Sequence, residues 1–289
     1  MSTRVAVPSR KHLPARERVV AVSSHVVLSI WALIVVAPLL WTLMTSFKTT
    51  SEIFASPFTL PAEAQFVNYT EAWNTAGIGT FFFNTILVVG SALVLVMLLG
   101  SMCAYSLARF DFPGNRIIYY MMLGGLMIPI FLAIVPLFFV LSNFGLLNTL
   151  PGLIVTYVAF ALPFTVFFLY AFFRQLPYEI SEAAAIDGAN EWRTFFQIML
   201  PMAKPGLATV AIMNFLGLWN QFLLPVALNT NKKNYVLSQG LASFASSAGY
   251  DVNFGALFAA VVITVAPVLV VYLIFQRQLQ GSVSQGTMK

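Results

Sequence analysis

The sequence predicts an all-α polytopic membrane protein, on three observations. Hydrophobic residues make up 59% of the 289-residue chain and charged residues only 9%, against roughly 45–50% and about 25% in soluble domains. Mean hydropathy is +0.85. Several apolar stretches exceed the roughly 20 residues a helix needs to cross about 30 Å of hydrocarbon, so the spanning units are helices rather than the short alternating strands of a barrel.

Gaps between charges place six spans near residues 22–47, 79–107, 117–141, 150–173, 206–229 and 255–277. Every Lys, Arg, Asp and Glu falls outside these spans or at an end, as expected when a charge at mid-membrane costs about 2.5–3.5 kcal/mol. The basic residues set the orientation. Arg4, Arg10, Lys11, Arg16, Arg18, Arg109, Arg116, Arg174, Arg193, Lys204, Arg277 and Lys289 occupy one set of alternate loops, whereas the other set holds only Lys48, Lys232 and Lys233. By the positive-inside rule both termini are cytoplasmic. The net charge of +5 follows from this topology and does not point to nucleic acid.

Segment 1–21 is read as a basic cytoplasmic N-terminal segment. The apolar run from Val19 to Phe47 is longer than the roughly 7–15-residue core of a signal peptide and lacks a clear small-x-small cleavage site, which makes it an uncleaved first span. Loop 48–78, with Glu52, Glu63, Glu71, Pro57, Pro61 and Trp73, is external and of short amphipathic or extended structure. It either touches a partner or lies on the membrane as a connector. The second external stretch, about 230–254, carries Lys232, Lys233 and Asp251 among Ser, Ala and Gly and reads as a flexible turn. Prolines 38, 129, 136, 163, 225 and 267 fall within spans and predict kinks. Gly100 with Ala104, and Ala256 with Ala260, have the spacing of close helix contacts. Cys103, the single cysteine, cannot form an intrachain disulfide or a cysteine metal cluster. Segment 278–289 is a short cytoplasmic tail.

Several activities lack their residues. No segment matches G-x-x-x-x-G-K-[ST], H-E-x-x-H or G-x-S-x-G, and the two histidines, His12 and His25, lie near the start of the chain. If ATP is used, another subunit binds it. No catalytic, cofactor or metal set emerges, and an intramembrane enzyme lacks an evident acid–base pair. The spans instead carry uncharged polar and aromatic residues: Asn84, Thr85, Tyr105, Thr156, Tyr157, Tyr170, Asn214, Trp219, Asn220 and Gln221. Amides for hydrogen bonds and aromatic faces for a ring's apolar side suit a neutral, hydroxyl-rich solute. Asn84, Tyr105, Tyr157, Asn214, Trp219, Asn220 and Gln221 are the candidate path, and four of these cluster on the fifth span. An ion-coupled small-solute carrier is the alternative. It normally keeps ionisable groups in its spans, yet backbone, Asn and Thr oxygens at a broken helix can also hold Na⁺.

Segment 174–205 is the conspicuous polar interruption, read as short helix, turn, short helix. Glu182, Ala183, Ala184 and Ala185 are strong helix formers, with an acid near the positive helix start. Asp187 follows, Gly188 permits a sharp bend, Trp192, Phe195 and Phe196 give the next segment an apolar face, and Pro201 and Pro205 punctuate the return to the membrane.

Glu-Ala-Ala, a glycine four positions after the second alanine, nine further residues and then Ile198-Met199-Leu200-Pro201 resemble the EAA loop of permease subunits in bacterial binding-protein-dependent ABC importers. Asn84-Thr85, the run from Ala104 to Phe110 and Trp219-Asn220-Gln221-Phe222 are similar to the carbohydrate branch, in particular its MalG-like subunits, over about Thr42 to Lys289. Gln221 stands where that branch often has glutamate. The resemblance implies a type I importer permease fold and no enzymatic activity in this chain. It also implies a second homologous permease, two ATPase subunits holding ATP and Mg, an extracytoplasmic sugar-binding protein and the bacterial inner membrane as location. On the same grounds Glu182, Ala183, Ala184, Asp187, Gly188, Trp192 and Pro201 form the ATPase-coupling loop.

Overall fold

A computed structural model describes residues 15–246 and 253–286, with the side chains of residues 20–246 and 253–276. Arg4, Arg10, Lys11, Asp251 and Lys289 therefore lie outside the described residues, as do most of segment 1–21 and the end of the tail.

The described chain is helical throughout. Helix α1 (Ala15–Thr45) is followed by α2 (Thr50–Ala55), α3 (Val67–Thr70) and a π-turn (Glu71–Thr75). Next come α4 (Ile78–Arg109), α5 (Asn115–Met127), α6 (Ile130–Asn143), α7 (Leu150–Gln175) and α8 (Glu179–Ile186). Then α9 (Glu191–Arg193), a π segment (Thr194–Met199) and α10 (Leu200–Met202) lead into α11 (Lys204–Trp219), α12 (Leu223–Leu228), α13 (Leu237–Ser246) and α14 (Phe254–Gly286).

Four helices are long and apolar enough to cross a membrane: Val20–Thr45, Ile78–Arg109, Leu150–Gln175 and Phe254–Gln276. These match the first, second, fourth and sixth expected spans. The third is not one straight helix, because α5 and α6 meet at a 108° bend. Pro129 lacks an N–H, and its ring pushes the preceding Ile128 into extended geometry, φ −76° and ψ 114°. The fifth also departs from expectation: α11 ends at Trp219 and α12 starts at Leu223. Pro225 cannot donate to the carbonyl of Gln221 four residues back, and that carbonyl accepts Ser238 Oγ at 2.7 Å instead. Pro38, Pro136, Pro163 and Pro267 sit inside unbroken helices.

Neither loop 48–78 nor the described part of 230–254 is a loose connector. Lys48 is fully buried, its Nζ donating to Ser56 O at 2.7 Å. A capping box between Thr49 and Glu52 starts α2, and the backbone N–H groups of Thr49 and Ala62 hold the Glu52 carboxyl below its usual pKa. Asn68 donates to Ser46 O and Lys48 O, both at 2.9 Å, while Asn253 donates to Asn68 Oδ1 and Glu71 Oε2. The start of α14 packs onto this network so closely that a Cβ on Gly255 would lie 2.3 Å from Lys48 O. In the second stretch α13 replaces the expected flexible turn, with Leu237, Gln239 and Gly240 buried.

Helices α4 and α7 form the central pair. Two apolar clusters sit at its ends, one around Phe81, Val88, Tyr157, Trp219 and Leu237, the other around Tyr105, Leu169, Phe173, Phe195 and Met199. Between them the helices approach at Gly100, where an added Cβ would lie 2.5 Å from Thr165 Cγ2. Gly100→Val should therefore cost about 1–3 kcal/mol through overpacking, read as a lowered melting temperature of the detergent-solubilised protein. Gly90→Val, where no atom lies within 4 Å, should be close to neutral.

Candidate functional site

The polar loop is a rigid, doubly anchored unit. Helix α8 begins with Glu179 and Glu182 in its first turn, which suits its positive end. It closes in a Schellman motif: Gly188 N donates to Ala185 O at 3.0 Å and Ala189 N to Ala184 O at 2.9 Å. Gly188 supplies the required left-handed conformation at φ +75°, with nothing within 4 Å of an added Cβ. Asn190 then caps the next turn by accepting from Arg193 N at 2.9 Å. Of the three apolar residues that follow, only Phe195 packs inward. Its ring lies 5.0 Å from Tyr105 and 6.4 Å from Phe173, joining the loop to the ends of α4 and α7. Ser181 reaches Met199 Sδ at 3.8 Å, tying α8 to the return segment that contains Pro201.

Trp192 and Phe196 stack at 5.9 Å on the outside, and Trp192 is 62% exposed. Ile186 is 86% exposed, while Ala184 is buried and Glu182, Ala183 and Asp187 face outward. The loop thus presents an acidic and apolar rim on a fixed backbone. A further anchor has no sequence motif: Arg109 Nη2 donates to Leu176 O at 2.7 Å, between α7 and α8.

The expected path residues separate into five settings. Tyr105 belongs to the loop joint, with ring contacts to Phe173 and Phe195. Tyr157 and Trp219 are buried in the opposite cluster, and Trp219 Nε1 donates to Thr264 O at 3.1 Å. Asn214 bridges helices, donating to Thr165 Oγ1 at 2.8 Å. Asn84 spends both amide hydrogens on Lys233 O and Tyr235 O, each at 2.9 Å. Asn220 and Gln221 remain. They occupy the break between α11 and α12, where Asn220 is exposed with its amide donating to Leu216 O at 2.8 Å, and the Gln221 carboxamide bonds no described residue. Around the break stand Phe82 against Trp219 at 6.2 Å and Ser238 on the Gln221 carbonyl. Non-helical backbone within a span is tolerated where protein covers it or a water-filled cavity borders it.

A bundle of apolar spans with a projecting polar loop is a multi-pass membrane protein. Residues 96–285 match the family described as "Binding-protein-dependent transport system inner membrane component", and the chain belongs to that family. It is 66% identical over 273 residues to the "Diacetylchitobiose uptake system permease protein NgcG" of Streptomyces coelicolor, covering 94% of this chain and 90% of that one. It is 34% identical to the "Arabinooligosaccharides transport system permease protein AraQ" of Halalkalibacterium halodurans, covering 89% and 92%. The fold is shared with a chain of a bacterial ABC transporter that imports the polysaccharide alginate, at TM-score 0.80 and 21% identity over 92% of this chain and 98% of that one. The chain is an ABC importer permease subunit, not an enzyme, which favours this reading over the ion-coupled carrier. Among the described residues no group of three or more His, Cys, Asp and Glu could hold a metal.

The two central break residues should respond differently to truncation. Trp219→Ala removes a buried aromatic and should cost about 3–5 kcal/mol of stability. Asn220→Ala should stay within about 0.5 kcal/mol of the parent protein yet lower substrate uptake. Thermal melting measured beside uptake in proteoliposomes checks both.

Proposed function

We propose that this chain forms one half of the translocation path of an ATP-driven importer for a di- or oligosaccharide in the bacterial cytoplasmic membrane. In this reading its termini and loop 174–205 face the cytoplasm, as the distribution of Lys and Arg favours. A second homologous permease completes the path, two ATPase subunits carry ATP and Mg, and an extracytoplasmic binding protein delivers the sugar. An alginate importer of the same fold is known in complex with a pentasaccharide-bound periplasmic protein, at TM-score 0.67 to this chain. The 66% identity to a diacetylchitobiose permease favours an N-acetylated amino-sugar disaccharide as substrate.

The observation that carries the coupling role is the loop's geometry. Its exposed rim of Ile186, Trp192, Glu182 and Asp187 offers a docking surface for an ATPase, and its buried side is bolted to α4 and α7 through Phe195 and Arg109. Closure of the ATPase pair on ATP moves the rim, and the aromatic joint passes that motion to the helix ends. The path opens outward, receives the sugar, and releases it inward after hydrolysis. Asn220 and Gln221 offer amides to sugar hydroxyls on the way.

Because a Cβ at Gly188 meets open space, the effect of substitution there is conformational. A non-glycine residue in the left-handed region is disfavoured by roughly 1–2 kcal/mol, and Asn adopts it far more readily than a β-branched residue. Gly188→Val should abolish sugar-stimulated ATPase activity of the reconstituted complex with assembly intact, whereas Gly188→Asn should retain most of it. Unchanged stimulation in Gly188→Val would remove the coupling role.

A further inference from the structure

On the same side as the polar loop, the turn from α4 to α5 and the end of α7 enclose a groove of about 810 Å³. Arg109, Arg116 and Arg174 line it, against the single carboxylate of Asp111. None of these arginines pairs with a carboxylate among the described residues. Arg109 Nη2 is held by Leu176 O, while its Nε is buried without a hydrogen-bond partner. Arg174 donates to the Tyr170 hydroxyl at 3.2 Å and lies 5.8 Å from that ring's centre. Arg116 makes no bond to a described side chain and is exposed. Helix α5 also starts here without a side-chain cap, adding unsatisfied N–H groups at the groove's edge. Three guanidinium groups without a carboxylate partner, Arg109 with a buried, unpaired N–H and its head 5.8 Å from the Tyr178 ring centre, form a receptor for an anionic oxyacid, the ligand that arginine's planar fork fits best.

The surroundings indicate which oxyacid. The three arginines stand at or beside the ends of α4, α5 and α7, where apolar spans give way to polar turns. Helix α5 has no buried residue, and Ile117, Tyr120 and Met121, each about two-thirds exposed, extend an apolar surface away from the groove. A soluble anion gains nothing from that surface. An acyl chain does, and basic pockets between spanning helices at this level suit anionic headgroups.

We infer that this groove binds an anionic phospholipid, with the phosphate between Arg109, Arg116 and Arg174 and an acyl chain along α5. The site requires only that the chain be inserted in a membrane, and so stands or falls separately from the coupling role. If both hold, the lipid braces the base of the polar loop, because Arg109 also holds the carbonyl between α7 and α8.

The test uses the full chain in its purified native assembly, placed in phosphatidylcholine nanodiscs containing a minor fraction of phosphatidylglycerol, with retained lipid counted by native mass spectrometry. Phosphatidylglycerol should be retained by the parent protein, and Arg116→Gln/Arg174→Gln should weaken its binding roughly twenty-fivefold, from about fivefold per arginine. Arg116→Lys/Arg174→Lys should recover part of it, and Lys232→Gln/Lys233→Gln, at the other end of the spans, should change nothing. Equal retention in the Arg-to-Gln pair and the parent overturns the site. Displacement of the lipid by inorganic phosphate at equal concentration marks a soluble-anion site and overturns the lipid assignment. Retention only after the ATPase subunits are stripped away assigns the groove to a protein partner, with the same consequence.

Discussion

Hydrocarbon offers no hydrogen-bond partner, so wherever this chain abandons helical geometry within a span, another group must satisfy the backbone. That constraint explains the arrangement at the α11–α12 break. Pro225 leaves the Gln221 carbonyl without its helical donor, and Ser238 at the start of α13 supplies one. The same end of α13 is fixed to α4, because Leu237 N donates to Thr85 Oγ1 and Asn84 grips the carbonyls of Lys233 and Tyr235. The short helix α13 is thus the complement of a broken span. Without α13 the break would expose unpaired backbone to lipid, and without the break Ser238 would have no carbonyl to hold.

At the opposite end the same economy of polar groups gives a stiff joint. A loop that transmits force must not absorb it in soft backbone torsions. Here the Schellman closure satisfies the last carbonyls of α8, Asn190 caps the following turn, and Phe195 fills a pocket between Tyr105 and Phe173. The exposed rim is therefore held to the ends of α4 and α7 by packed rings and closed backbone hydrogen bonds.

Much of this was legible in the amino acids, and the exceptions have physical causes. Spans announce themselves because charge is excluded from them, and the loop motif carries its glycine where a left-handed residue is required. Proline positions were visible, but not which would break a helix: Pro163 and Pro267 are accommodated in continuous helices, whereas Pro129 and Pro225 coincide with departures from it. The flexible turn expected over 230–254 is instead a short helix, α13, held by long-range bonds such as Leu237 to Thr85, which leave no local periodicity. Tyr105, Asn214 and Asn84 qualified for the path by polarity alone, and polarity does not distinguish a residue facing a solute from one bonding a neighbouring helix. Arg109 looked like a topology marker and proved also to be a fastener.

One helix links both ends. Thr85 and Asn84 near the start of α4 hold the segment that completes the break, while Tyr105 and Arg109 near its end hold the loop. At 1.5 Å per residue, Thr85 and Arg109 are about 36 Å apart. Along that length α4 is fastened to α7 by the close approach of Gly100 to Thr165, and Thr165 in turn accepts the Asn214 amide of α11. A displacement imposed at the loop has no flexible segment of α4 in which to dissipate. Contacts join α4 to α7 and α7 to the helix whose end is the polar break. The rim and the break are therefore linked through an unbroken series of packed and hydrogen-bonded helices.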